Sequence, residues 1–328
     1  MTDRFFRWVG CTDRRRPNAL ERAPEVKLRV AQLTDLHVPS DITLARRLRD
    51  LMRPHRTVGD LSHELSAISN ELSQPYRKQR KVYTNLLKKT LLGLRYLGVD
   101  HLIITGDVAH CGLAVEFLEA KAALQVTGWW GRDKLTVIPG NHDRFNLYEA
   151  IPDEPMESFF DVVRSREPRV KVLPGGLALV ETDSNSDRDD DRAYAEHWLP
   201  NTRGRIYEET VEEVAAARSQ MAGMRVLALV HHHVTDDWYR HNTFQRLGFL
   251  DPVEGGEELM GAVALSDPHA LVLHGHIHDV MPLGYTFLDD HLVGCPGGFA
   301  EHLRVNLIDL DGHDAITITQ AELRGTKG

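Results

Sequence analysis

No stretch of this 328-residue sequence approaches the roughly 20 consecutive apolar residues that a membrane-spanning helix needs. The N-terminal MTDRFFRWVGCTDRRRP has charges on both sides of a very short apolar patch, which is not the pattern of a secretory signal. Cysteine is scarce: Cys11, Cys111 and Cys295 exclude a disulfide-knotted scaffold and suit a reducing cytoplasm. Positive charge is not in excess either. Lys and Arg total 39 against 48 Asp and Glu, and the net charge of −9 argues against a general nucleic-acid binder. There is no internal repeat and no low-complexity tract, and with 42% hydrophobic and 27% charged residues the composition is that of an ordinary globular chain. What the sequence does have in quantity is histidine, with 18 copies, and their placement points to the chemistry.

Residues 1–27 read as a flexible basic arm, with arginines at 4, 7, 14, 15, 16 and 22. Its Phe5, Phe6, Trp8 and Val9 are a second expectation, as a contact for a membrane surface or a partner. From residue 28 on, short β-branched apolar runs alternate with helical patterns. The runs at 28–33, 101–105, 134–139, 170–173, 177–182, 225–230 and 269–274 suit strands buried on both faces. Residues 113–126 and 208–221 have helical periodicity, and the runs at 285–288, 291–295, 304–310 and 315–319 predict an antiparallel finish. The sum is an α/β fold, two mixed sheets flanked by helices, in one domain over 28–328. Two segments break the rhythm. Residues 38–100 read as a mostly helical insertion carrying 12 Lys/Arg against 6 Asp/Glu, a net +6, and residues 183–203 read as a long acidic loop.

Five polar clusters each follow an apolar strand: Asp35-Leu36-His37, Gly106-Asp107, Gly140-Asn141-His142-Asp143, His231-His232-His233 and Gly275-His276-Ile277-His278. Ligand sites in α/β sheets lie beyond the carboxyl ends of strands, where separate loops converge. Any one cluster alone is unremarkable, because Asp-x-His arises by chance and Gly-Asn is a good turn. Five at five strand ends read as one site. Imidazole nitrogens mixed with carboxylate and amide oxygens suit borderline divalent metals, and with no cysteine in the clusters a structural thiolate zinc site is excluded. The donors are too many for one four-coordinate ion. A pair of ions is the economical inference, and paired ions about 3.5–4 Å apart hydrolyse phosphate esters through a water ionised near neutral pH.

In this order the five clusters resemble the motifs of the calcineurin-like metallophosphoesterases, over about residues 28–310. The resemblance implies a four-layer α/β/β/α sandwich and two divalent ions, Mn, Fe or Zn. One ion would be held by Asp35, His37 and His278, the other by Asn141, His231 and His276, with Asp107 bridging. His231 is chosen from its trio because it comes directly off the strand. The resemblance also implies that His142 stabilises charge on the phosphate or protonates the leaving group, and that Asp143 orients His142. His110 stands where cyclic-nucleotide phosphodiesterases of the family often have Asp, and it reads as packing its loop.

Two substrate readings follow from two branches of that family. The class III cyclic nucleotide phosphodiesterases share the motif set, which favours a cyclic nucleotide or another small phosphodiester. The UDP-diacylglucosamine pyrophosphohydrolases of lipid A synthesis are similar as well and carry a basic helical insertion over the site, at the membrane surface. Leu61, Leu65, Ile68, Leu72, Val82, Leu86, Leu87, Leu91 and Leu94 offer an apolar face for acyl chains, or glue for the insertion's own domain. A non-catalytic binding module is the third reading, and it predicts gaps in the ligand set. The expected partner is thus a small anionic phosphate ester and not nucleic acid. The expected location is the cytoplasm, with peripheral contact at the inner membrane surface through the arm or the insertion as the variant.

Overall fold

The computed structural model describes residues 5–13, 20–39, 80–144, 155–185, 204–235, 251–287 and 291–324. Two six-stranded sheets are formed. The first runs β1 (Phe6–Cys11), β12 (Ile316–Leu323), β11 (Arg304–Asp311), β2 (Val26–Leu33), β3 (His101–Thr105), β4 (Leu135–Ile138). The second runs β5 (Arg169–Leu173), β6 (Leu177–Glu181), β7 (Arg225–Leu229), β8 (Leu271–Leu273), β10 (His291–Gly294), β9 (Thr286–Phe287). β2, β3 and β4 are mutually parallel, as are β6, β7, β8 and β10, so both sheets are mixed.

The alternation of strand side chains sorts the core into layers. Leu28, Val30 and Ile103 meet Leu179, Leu227, Leu229, Leu271 and Leu273 between the sheets. On the opposite face of the first sheet Ala31, Leu33, Leu102 and Ile104 pack under helices α1 (Arg80–Tyr96) and α2 (Ala114–Val126). Behind the second sheet Val180, Ala228 and Val272 pack under α3 (Glu208–Ala216) and α4 (Gly256–Ala264). A four-residue helix, α5 (Phe299–His302), leads into β11. This is the expected α/β/β/α sandwich. The finish is less purely antiparallel than expected: β10 joins the second sheet parallel to β8, and β11 crosses to pair with β2.

Two expectations change. The arm over 1–27 is not free where it is described. Phe6–Cys11 is an edge strand antiparallel to β12, because Phe6 is fully buried and Arg7 donates twice to Glu322 at 2.7 Å. Phe6 and the partly buried Phe5 join the core under α1, so only Trp8 and Val9 of the four apolar arm residues face outward. The insertion is also shorter than 38–100. Tyr83, Leu87, Leu91, Leu94 and Leu97 recur at helical spacing and are buried against the first sheet, which makes α1 the crossover helix between β2 and β3. Residues 40–79, with Leu61, Leu65, Ile68 and Leu72, lie outside the described residues, as does most of the acidic loop, 186–203. Of that loop's described start, Asp183 is a buried partner of Arg144 at 2.7 Å. No helix among the described residues is long and apolar enough to cross a membrane.

The base of the first sheet is held by an ion pair with no solvent access. Arg29 Nε and Nη2 donate to Asp309 at 2.7 and 2.8 Å, and Nη1 donates to the carbonyls of Leu20 and Leu97. Removing one partner of such a pair leaves an uncompensated buried charge, so Asp309→Ala is expected to cost about 3–5 kcal/mol. Urea unfolding of the metal-free protein measures it, and a loss below about 1 kcal/mol would show that solvent reaches Arg29.

Candidate metal centre

Every expected site residue lies just past the carboxyl end of a strand: Asp35 and His37 after β2, Asp107 after β3, Asn141 and His142 after β4, His231 after β7, His276 and His278 after β8. The loops are stitched through their backbones. Asp35 N–H donates to Gly106 O at 3.2 Å, His37 N–H to Asp107 O at 2.9 Å, and Gly275 N–H to His231 O at 2.9 Å. The motif glycines are there because side chains would not fit. A Cβ on Gly140 would lie 2.2 Å from Asp107 Oδ1, and one on Gly275 would lie 1.9 Å from Thr34 Oγ1.

The donors converge in two groups. Asp35, His37, Asp107 and His278 offer ligand atoms all within 4.8 Å of one another. His37 Nε2 and His278 Nε2 stand 3.0 Å apart, with Asp107 Oδ2 at 3.6 Å from the former and Asp35 Oδ1 at 3.5 Å from the latter. In the second group Asn141 Oδ1 is 3.1 Å from His231 Nε2 and 3.0 Å from His276 Nδ1, and Asp107 Oδ1 is 3.5 Å from His231 Nε2. Asp107 therefore turns one oxygen to each group. Its charge is compensated: burial raises its pKa, but His231, His142 and His37 hold it well below the usual carboxylate value.

Within the trio, His231 is the residue whose Nε2 faces Asn141 and Asp107. All three histidines are fully buried, but they face different ways. His231 Nδ1–H donates to Thr105 O at 2.8 Å, which leaves Nε2 as the nitrogen facing Asn141 and Asp107. His232 Nδ1 is 2.8 Å from Ser184 Oγ, and its ring stands 4.5 Å from that of His276.

His142 Nδ1–H donates to His110 O at 2.7 Å, and its ring stands edge-on to His37 with centroids 4.5 Å apart. Asp143 does not orient it, which corrects the expectation. The Asp143 carboxylate accepts three backbone N–H groups, from Val108, Ala109 and Gly140, and so ties the β3 and β4 loops together. Burial and the Asp107 charge push Asp143 up to about 7 against those bonds. His110 is nearer the chemistry than a loop-packing role requires, since His37, His110 and His142 also bring ligand nitrogens within 4.8 Å.

Three supporting groups were not legible in the sequence. Tyr83, in the segment read as insertion, donates its hydroxyl to the carbonyl of Leu36, between Asp35 and His37. Glu301 Oε1 is 3.1 Å from His278 Nδ1, the usual carboxylate backing of a metal-binding imidazole. Ser184 holds His232. None sits in a motif, so only the fold brings them in.

Comparison with known proteins agrees with this geometry. The model of the calcineurin-like phosphoesterases matches residues 28–280. The chain belongs to that family. Its fold is similar to the crystal structure of a dimetal phosphatase from Danio rerio, with a TM-score of 0.59 and 11% identity over 90% of this chain and 96% of that one. Weaker matches are a sulfate thiohydrolase from Thermus thermophilus (TM-score 0.46, 13% identity, 92% of this chain and 57% of that one) and the phosphopantetheinyl hydrolase of Mycobacterium tuberculosis (0.40, 13%, 82% and 89%). No curated protein sequence matches. This calcineurin-like phosphoesterase is thus a metal-dependent phosphoesterase, and its fold implies a dinuclear divalent centre.

The donor set fits such a centre. Paired nitrogens 3.0 Å apart facing carboxylates are what a cation would separate and neutralise. Without one, His231 and His278 take protons instead. Burial lowers both imidazoles, but Asp107 and Asp35 raise His231 to about 9, and Asp35 and Glu301 raise His278 to about 9. At pH 7 both rings are therefore protonated in the metal-free protein, and each must lose its proton to become a ligand. Metal affinity is expected to climb from pH 6 to about 9 and then flatten. Calorimetry in buffers of different ionisation enthalpy should register release of about two protons per pair of ions at pH 7. Affinity independent of pH, without proton release, would remove these histidines from the ligand set.

Proposed function

We propose that this chain hydrolyses the phosphodiester bond of a small anionic substrate, with a cyclic nucleotide as the first to test. The observation that carries the reading is the split of Asp107, whose two oxygens face separate groups of nitrogen and oxygen donors. Asp35, His37 and His278 would hold one ion, Asn141, His231 and His276 the other, and Asp107 both. Mn, Fe and Zn suit this mixture of imidazole, carboxylate and amide donors. When bound, such a pair supplies Lewis-acid polarisation of the phosphoryl oxygens and a water ionised near neutral pH.

The protein's own groups do the rest. Asp35 accepts the backbone N–H of His276 at 3.0 and 3.2 Å, which ties the first and last ligand loops together. His142, anchored through Nδ1, presents Nε2 as its proton-exchanging atom. Burial lowers its pKa, and a phosphoryl anion alongside offsets that loss, so the ring can carry a proton to the leaving oxygen.

The reading of a UDP-diacylglucosamine pyrophosphohydrolase loses support. Of the nine residues counted toward an acyl-chain face, Leu87, Leu91 and Leu94 are buried against the first sheet, Leu86 is partly buried and Val82 exposed, and the other four lie outside the described residues. The binding-module reading predicts gaps, and the convergence of the seven candidate ligand residues supports a catalytic centre instead. Three free cysteines, two of them buried, support a reducing cytoplasmic setting.

The test is hydrolysis of cyclic nucleotides, aryl phosphodiesters and acylated UDP-sugars with Mn²⁺. His142→Ala is expected to keep both ions and lower kcat by roughly 10²–10⁴-fold. Loss of metal in that variant would make His142 a ligand. Asp107→Ala should lose both ions and all turnover. If it keeps both ions and loses less than about tenfold in turnover, short of the 10²–10⁴-fold range, Asp107 is not in the centre. Turnover of acylated UDP-sugars alone would reverse the substrate assignment.

A further inference from the structure

Each ligand group draws on both sheets. Asp35, His37, Asp107 and Asn141 leave the first, His231, His276 and His278 the second. Spacing within the centre therefore depends on how the sheets are held directly beneath these loops. Lower down the interface is filled by Leu, Ile and Val, whose contacts are non-directional. At the top its chemistry changes.

Gln32, near the end of β2, is fully buried there. Its Nε2 donates to the Thr105 hydroxyl at 3.1 Å in its own sheet and to the His274 carbonyl at 2.9 Å in the other, with the Gly294 carbonyl at 3.4 Å. Its Oε1 accepts from Asn306 Nδ2 at 2.9 Å, from the residue paired with it on β11. This orientation is dictated by the partners, since a flipped amide would set its oxygen against two carbonyls that can only accept.

The groups Gln32 touches are those that launch ligands. The Thr105 carbonyl accepts His231 Nδ1–H, and Asp107 follows two residues on. His274, whose own N–H donates to Gly294 O, leads through Gly275 into His276. Asp35 follows Gln32 itself by three residues. One amide thus links the roots of three ligand loops, those after β2, β3 and β8, across the seam between the sheets, and Thr105 passes the link on to His231.

We propose that Gln32 is a positioning residue, the strut that sets the spacing of the two ligand groups and so the separation of the two ions. A buried amide serving packing alone would affect stability and leave the ions' mutual separation unchanged. The inference rests on the dinuclear reading above, and the experiment separates the two. The protein is loaded with Mn²⁺, its electron paramagnetic resonance spectrum is examined for spin exchange between paired ions, the Mn²⁺ affinities are measured by calorimetry, and thermal midpoints are recorded in chelator as the folding control.

The parent should show an exchange-coupled pair. Gln32→Leu should weaken binding of the pair by roughly 10- to 100-fold, the range for lost outer-shell support, and give the signal of isolated Mn²⁺ at loadings where the parent is coupled. Asn306→Ala removes the clamp on the amide without touching either carbonyl. It should shift in the same direction by a smaller factor, and it decides the matter if Gln32→Leu does not fold. Coupling and affinity unchanged in a folded variant, whatever its thermal midpoint, would overturn the role of Gln32 and leave the dinuclear reading standing. A parent that binds Mn²⁺ without coupling would overturn both.

Discussion

Two carboxylates, Asp35 and Asp107, are buried where the two sheets open, and the architecture around them follows from the cost of that burial. An ionised carboxylate away from water loses several kcal/mol of solvation unless cations or strong donors replace it. Asp35 is met by His278 and the His276 N–H, Asp107 by His231, His37 and the His142 N–H at 2.8 Å. Those partners belong to β2, β4, β7 and β8 loops. Neutralising two charges thus requires two sheets to meet with their parallel strand ends on one side, as the sandwich does.

The same demand is visible in the backbone. Eight non-glycine residues among those described have positive φ, and five of them are Asp35, His37, Asp107, His276 and His278. The left-handed region costs roughly 1 kcal/mol or more per such residue and persists only where the surroundings over-determine it. Here each loop turns sharply to aim a side chain back toward the seam, and the cross-loop bonds from Asp35, His37 and Gly275 hold it there. Asp143, with three backbone N–H groups on its carboxylate, stabilises the β3 and β4 loops in the same way.

This division explains what could be read in advance. The strands were legible because continuous apolar runs are what a doubly covered sheet requires, and the candidate ligands because metal chemistry admits few side-chain types at strand ends. What failed depends on long-range contact. Phe6–Cys11 looks like a charged terminus until β12, more than 300 residues away, offers it a partner. The α1 stripe reads equally well as a cap or as core, and only its packing on Ala31, Leu33 and Ile104 decides. The resemblance implies that Asp143 orients His142, but its carboxylate is taken up by the backbone N–H groups of Val108, Ala109 and Gly140, which no sequence pattern shows.

The supporting groups have a common form that accounts for their invisibility. The Thr105 carbonyl selects the His231 tautomer, the His110 carbonyl that of His142, and the Leu36 carbonyl receives Tyr83. In each case the atom that sets the geometry is a backbone oxygen, which every residue has. For that contact the side chain at each of those positions is not read, although Thr105 and His110 have further roles through their own side chains. A motif records the groups whose chemistry cannot be exchanged, whereas the precision of the centre resides in backbone carbonyls and scattered side chains such as Gln32 and Glu301 that the fold brings in. Sequence patterns can therefore name the candidate ligands of this centre without revealing what aims them.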